Sequence, residues 1–68
     1  MILKGVISNK SENRAEAFLP EENNSVTAML PFAKNISVAD VNIGDNCVVA
    51  LFDSDTVNLA NGVILAIY

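Results

Sequence analysis

The chain has 68 residues, one cysteine and no histidine, and its 8 acidic against 4 basic residues leave a formal charge of −4. That length fits one domain, residues 1–68, which buries only about 60% of the surface its unfolded form exposes, so it gains most from a disulfide, a metal or self-association. The lone Cys47 excludes an internal disulfide, the missing histidine removes the usual zinc spacings, and Lys4, Lys10, Arg14 and Lys34 are too scattered to make a phosphate-neutralising stripe.

Short β-like runs alternate with turn-rich connectors, the spacing of a small all-β barrel or sandwich. The first run is Ile2 to Ser8, with Ile2, Lys4, Val6 and Ser8 on one side and Leu3, Gly5 and Ile7 on the other. Gly5 inside it predicts a bulge or a sharp bend. A turn cluster over 8–13 leads to the second run, Arg14 to Leu19, where Ala15, Ala17 and Leu19 alternate with Arg14, Glu16 and Phe18. Pro20 to Asn24 breaks it, because proline cannot donate to a ladder, and Glu21 and Glu22 read as a solvated loop. The third run, Ser25 to Leu30, sets Val26, Ala28 and Leu30 against Ser25, Thr27 and Met29, the half-buried pattern.

Between Pro31 and Gly44 the apolar points Ile36, Val38, Val41 and Ile43 fit no single period, which predicts a crossing connector with one turn around Val38 to Val41. Gly44-Asp45 makes a tight turn into the fourth strand, Asn46 to Phe52. A loop over 53–61 leads to the fifth, Gly62 to Tyr68, with Gly62 expected at a positive φ. Five strands with a connector between the third and fourth match an OB-type barrel, with an SH3-like barrel as the competitor.

The chemistry in these residues is sparse. Asp53, Asp55 and Asn58 offer oxygens to a hard cation, but an EF-hand loop needs an oxygen ligand, a glycine and a glutamate where this chain has Val57, Asn58 and Ile64. An acidic, solvent-exposed hairpin tip explains them as well. Cys47 sits in an apolar strand with no histidine for a base and no adjacent cation to lower its pKa, so it reads as a buried structural thiol. The Gly-x-Ser-x-Gly pattern and a glycine-rich phosphate loop are absent from the sequence, and Asp40 and Asp45 lie in turns. The expectation is a protein that is not an enzyme and takes no cofactor or metal. Phe18, Phe32, Phe52 and Tyr68 fall in separate elements without interleaved basic residues, which argues against nucleic acid. No run approaches the ~18 apolar residues of a membrane span. Met1 to Gly5 lacks the basic leader of a signal peptide, and the N-x-S sequons at Asn9, Asn23 and Asn35 carry little weight without one.

The last two strands are apolar on both faces. Cys47, Val49 and Leu51 oppose Val48, Ala50 and Phe52; Val63, Leu65 and Ile67 oppose Ile64, Ala66 and Tyr68. One set from each fills the core. The candidate interface is the other set, Val48, Ala50, Phe52, Ile64, Ala66 and Tyr68, with the opposite face as the alternative outer one, because a contiguous exposed apolar patch on a soluble protein usually marks a contact surface. The competing arrangement covers that face with the first strand or with the 31–45 connector.

Leu30-Pro31-Phe32-Ala33, then Val41 to Phe52, then Asn61 to Tyr68, resemble short proteins of the structural modules of phages and prophages of Gram-positive bacteria. More loosely they are similar to the OB domains of phage tail-spike and baseplate-hub proteins, in which a V-x-x-G-D-x-V-x-V strand precedes an acidic loop and a G-V-I-L strand. The resemblance implies a non-enzymatic virion or tail-assembly protein, made in the bacterial host cytoplasm and located in the virion. Its partners would be itself, as a homo-oligomer, or other virion proteins. Spike proteins continue beyond the barrel into a β-helix or needle and this chain ends at Tyr68, so the expected role is a small tail or capsid component rather than a piercing tip. The alternative is a small acidic modulator or inhibitor of a host protein.

Overall fold

The computed structural model describes residues 1–52 and 58–68, and among them the fold is all-β. Its strands are β1 (Ile2–Lys10), β2 (Arg14–Leu19), β3 (Ser25–Val26), β4 (Leu30–Pro31), β5 (Asn46–Leu51) and β6 (Gly62–Ile67). They form one sheet in the order β3-β2-β1-β5-β6, with β4 also on β2, and every pairing between named strands is antiparallel. Placing β5 beside β1, on the side away from β2, is the Greek-key arrangement. The segment after β4 reaches β6: Phe32 makes a parallel bridge with Ile64, and Ala33 N–H donates to Ile64 C=O at 2.9 Å.

The strand period of two sorts side chains between core and surface. Across β1, β5 and β6 the inward rows are Leu3–Val49–Ile64 and Gly5–Cys47–Ile67. From β2 come Ala15, Ala17 and Leu19, all fully buried as the alternation predicts. Leu30 and Val41 complete the core from outside the long strands.

The predicted third strand is split. Thr27, between β3 and β4, is the buried residue there, while Val26 and Ala28 are exposed, so of the expected inward set only Leu30 faces the core. The cause is a hydrogen-bond exchange around Ala17. Thr27 N–H donates to Ala17 C=O at 2.9 Å, and Ala17 N–H donates to Thr27 Oγ1, also at 2.9 Å. The hydroxyl in turn donates to Ala28 C=O at 2.8 Å. One side chain thus stands in for a ladder carbonyl and turns the strand. Thr27→Val removes that acceptor and leaves the Ala17 N–H buried without a partner. The expected loss is about 1–3 kcal/mol, read from a urea melt against the parent chain; a loss within a few tenths would refute the role given to the hydroxyl.

The turns follow their residue types. Asn23 and Asn24 take φ of 54° and 56°, a region asparagine tolerates better than most residues. Glu21 is exposed as expected, and its carboxylate also accepts from Lys4 N–H of β1 at 3.2 Å, just beyond the end of β2. The connector forms a single 3₁₀ turn, Val38–Asp40, where one was predicted. Lys10 at the end of β1 holds it, its Nζ donating to Val38 C=O at 3.0 Å and Val41 C=O at 2.6 Å. Gly44 takes φ 99°, and Asp45 closes the turn by accepting from Asn42 N–H at 2.8 Å.

Two glycine expectations change. The irregularity of β1 lies between Ile7 and Asn9 rather than at Gly5, which pairs regularly with Cys47. Gly5 instead makes room, since a Cβ there would meet Phe18 C=O at 2.8 Å and Leu19 Cδ2 at 2.9 Å. Gly62 has no positive φ; it is a buried strand residue opposite Leu51.

Candidate functional site

The candidate surface is the outer face of β1, β5 and β6, and it can be built row by row from the register. Ile2 lies opposite Ala50, which lies opposite Val63; Lys4, Val48 and Ala66 form the next row. A third row follows from Val6 opposite Asn46, whose carbonyl accepts from Tyr68 N–H at 3.0 Å. Only Lys4 and Asn46 interrupt these rows with a polar side chain.

Of the residues expected here, Val48, Ala50 and Ala66 are half-buried between their cross-strand neighbours. Phe52 and Tyr68 stand out at 62% and 65% exposed. Ile64 is a correction. It is fully buried, opposite Val49 in the core, and has no part in an outer face. The reason is a register shift between Val48 and Val49: Val48 pairs with Ala66 while Val49 pairs with Ile64, leaving Leu65 as an extra residue on β6. A bulge of this kind breaks the alternation, so the two ends of β6 follow opposite parity. Leu65, expected inward, is consequently exposed, and Val63 takes the outward place beside Ala50.

The outer face therefore carries Ile2, Val63 and Leu65, which the alternation of β6 alone did not single out. Ile2 heads one side of the first run; that this side faces outward, and that β1 pairs with β5, came only from the structure. At 62% exposed it extends the apolar surface across a third strand.

Reactive groups do not converge on this face. Cys47 points the other way, into the core, where burial pushes its thiol up to about 11. Among the described residues no group of His, Cys, Asp and Glu is arranged to hold a metal ion, and no buried side-chain polar atom lacks a hydrogen-bond partner. The Asp53 and Asp55 pair considered for a cation lies outside the described residues. Asn58, its third member, accepts from Ala60 N–H at 3.0 Å and shapes the turn into β6. No described helix is long and apolar enough to cross a membrane. Compared with known proteins, the chain matches no family model and no curated sequence.

Proposed function

We propose that the chain is a non-enzymatic structural protein of a phage or prophage particle, a small OB-type barrel that self-associates or docks on neighbouring virion or tail proteins. The contact is made through the outer face of β1, β5 and β6. The observation that carries this reading is the exposure of Ile2, Phe52, Leu65 and Tyr68 around that face. Fully burying a large apolar side chain is worth about 1.5–3 kcal/mol, so a partner that covers several of them gains a substantial driving force.

The barrel itself belongs to the proposal. It is supported by pairings that return on themselves: β4 lies on β2, β2 on β1, β1 on β5 and β5 on β6, and Phe32, directly after β4, bridges back to β6. We read this Greek-key sheet, with its single bridge among the described residues from Phe32 to β6, as the plan of an OB-type barrel. The particle setting rests on the resemblance of the Leu30–Ala33, Val41–Phe52 and Asn61–Tyr68 stretches to short phage structural-module proteins, and virion location follows from that setting.

Light scattering at micromolar concentration should give a mass above one chain. Phe52→Glu and Leu65→Glu, both at exposed positions, should return the chain to monomer while leaving its thermal melt within a few degrees of the parent. A parent chain that is cleanly monomeric rejects self-association. A monomer whose binding to a host protein weakens steeply with salt would favour the acidic modulator instead. Adjacent tail or capsid genes would support the particle setting, and unrelated neighbours would remove it.

A further inference from the structure

A second surface adjoins the outer face at Ala66, where the connector meets the end of β6. An open cleft of about 420 Å³ separates the 35–41 segment from Ala66 and Ile67. Its floor is apolar, made by the buried Val41 and the half-buried Ile36 and Ile67, and its exposed rim is polar, with Asn35, Ser37 and Asp40. The volume falls within the roughly 300–1,000 Å³ common for ligand sites.

One wall of the cleft is a strand edge. In an antiparallel pair, residues that exchange hydrogen bonds alternate with residues whose N–H and C=O point away from the partner strand. Tyr68 N–H bonds Asn46 C=O, so Ile67, opposite Cys47, turns its backbone groups away from β5. Among the described residues, the chain after β4 bridges that far edge of β6 at Ile64, one turn of the strand before the cleft. The rim carries one charged side chain, Asp40, and Lys10 Nζ is bonded to the carbonyls of Val38 and Val41 on either side of it. The Asp40 carboxylate on the rim makes no hydrogen bond or ion pair among the described residues, and the whole chain carries −4.

We infer that this cleft receives an extended peptide segment of a partner protein, which adds as a strand to the C-terminal half of β6. An aliphatic side chain of the peptide sits over Ile36 and Ile67, and a lysine or arginine lies beside Asp40. Main-chain pairing supplies affinity in this mode of recognition, and the side-chain contacts supply selectivity. A second copy of the chain is the poorer occupant, because it would bring another net charge of −4 to a rim whose one charged side chain is Asp40. The inference uses the edge and the cleft and does not depend on self-association through the outer face.

The test is a titration of the ¹⁵N-labelled full chain with a capped nonapeptide of alternating valine and threonine flanked by lysines, alongside a twin flanked by glutamates. The lysine peptide should shift amides over 35–41 and 66–68 saturably, and the glutamate twin should bind about fivefold more weakly. Asp40→Lys, at an exposed position, should reverse the order of the two peptides. Equal affinities, no saturable shift at millimolar peptide, or shifts confined to the outer face around Ile2 and Leu65 would each overturn the inference. So would concentration-dependent shifts at the cleft without peptide, which would place a second copy there. A monomeric parent chain would reject self-association through the outer face and leave this titration's prediction unchanged.

Discussion

Gly62→Ala should remove about a third or more of the stability of this domain. A Cβ at Gly62 would land on the carbonyl oxygen of Ala50 and lie 2.8 Å from Leu51 Cδ2. Ala50 and Leu51 belong to β5, the strand that β6 pairs with, so the Ala50 contact is with backbone and cannot be relieved by a rotamer change. The strands must separate where β6 begins, beside the buried Leu51. Overpacking of this kind costs about 1–3 kcal/mol and occasionally more, and backbone contact puts Gly62 at or above the upper end. A domain of this size has roughly 3–10 kcal/mol in total at ~0.05–0.15 kcal/mol per residue. The expected drop in melting temperature is therefore about 15–20 °C, at ~4–8 °C for each kcal/mol. Gly44→Ala is the control. A Cβ at Gly44 meets nothing within 4 Å, and its φ of 99° adds only backbone strain, about 1–2 kcal/mol. Circular dichroism melts of the two variants should differ by at least ~5 °C; equal melts would mean that close approach of strands does not set the requirement for Gly62.

This contact also shows what a one-dimensional reading of the chain can and cannot recover. Asn61-Gly62 announces a turn glycine, and the turn is present, but the demand on Gly62 comes from β5, a neighbour known only once the strands are paired. Where polar residues mark one face of a strand, alternation is informative: Arg14 to Leu19 places its buried residues correctly. Val63 to Ile67 has no polar residue, so a shift by one residue leaves no mark in its pattern. That is why Ile64 and Leu65 exchange places relative to a simple alternation, so that Val48, Ala50 and Ala66 lie on the outer face while Ile64 lies in the core. Thr27 fails for a different reason. Its hydroxyl reads as outward in a half-buried run, yet it is the group that satisfies Ala17 N–H inside the sheet. Between Pro31 and Gly44, the turn at Val38 was legible from the broken period. The choice of Val41 as the buried residue, with Ile43 left 64% exposed, depends on Lys10 anchoring the turn from a distant strand.

The same burial that silences Cys47 chemically makes the fold sensitive to base. Cys47 stands between Gly5 and Ile67 in an inward row, with none of its surface exposed, and desolvation raises its thiol from 9.0 to about 11. Below pH 9 the thiol is protonated whether the chain is folded or not, and its contribution is fully present. Above pH 9 the unfolded chain loses this proton first, so it binds fewer protons than the folded chain and stability falls as pH rises. The loss accumulates until the folded thiol itself ionises near pH 11, and two pH units of difference correspond to about 3 kcal/mol. Cys47→Ala separates this effect from every other group that titrates in the range. The variant should be less stable than the parent at pH 8, having lost core packing, but its stability should fall more gently, so that the two urea-melt curves converge between pH 9 and 11. Parallel curves would contradict the raised thiol. An independent check uses a thiol reagent at pH 8: labelling of the parent chain should be limited by unfolding and should accelerate with urea in step with the unfolded fraction. Prompt stoichiometric labelling of the native chain would show that Cys47 is reachable, and the closely packed row it occupies could not then be intact.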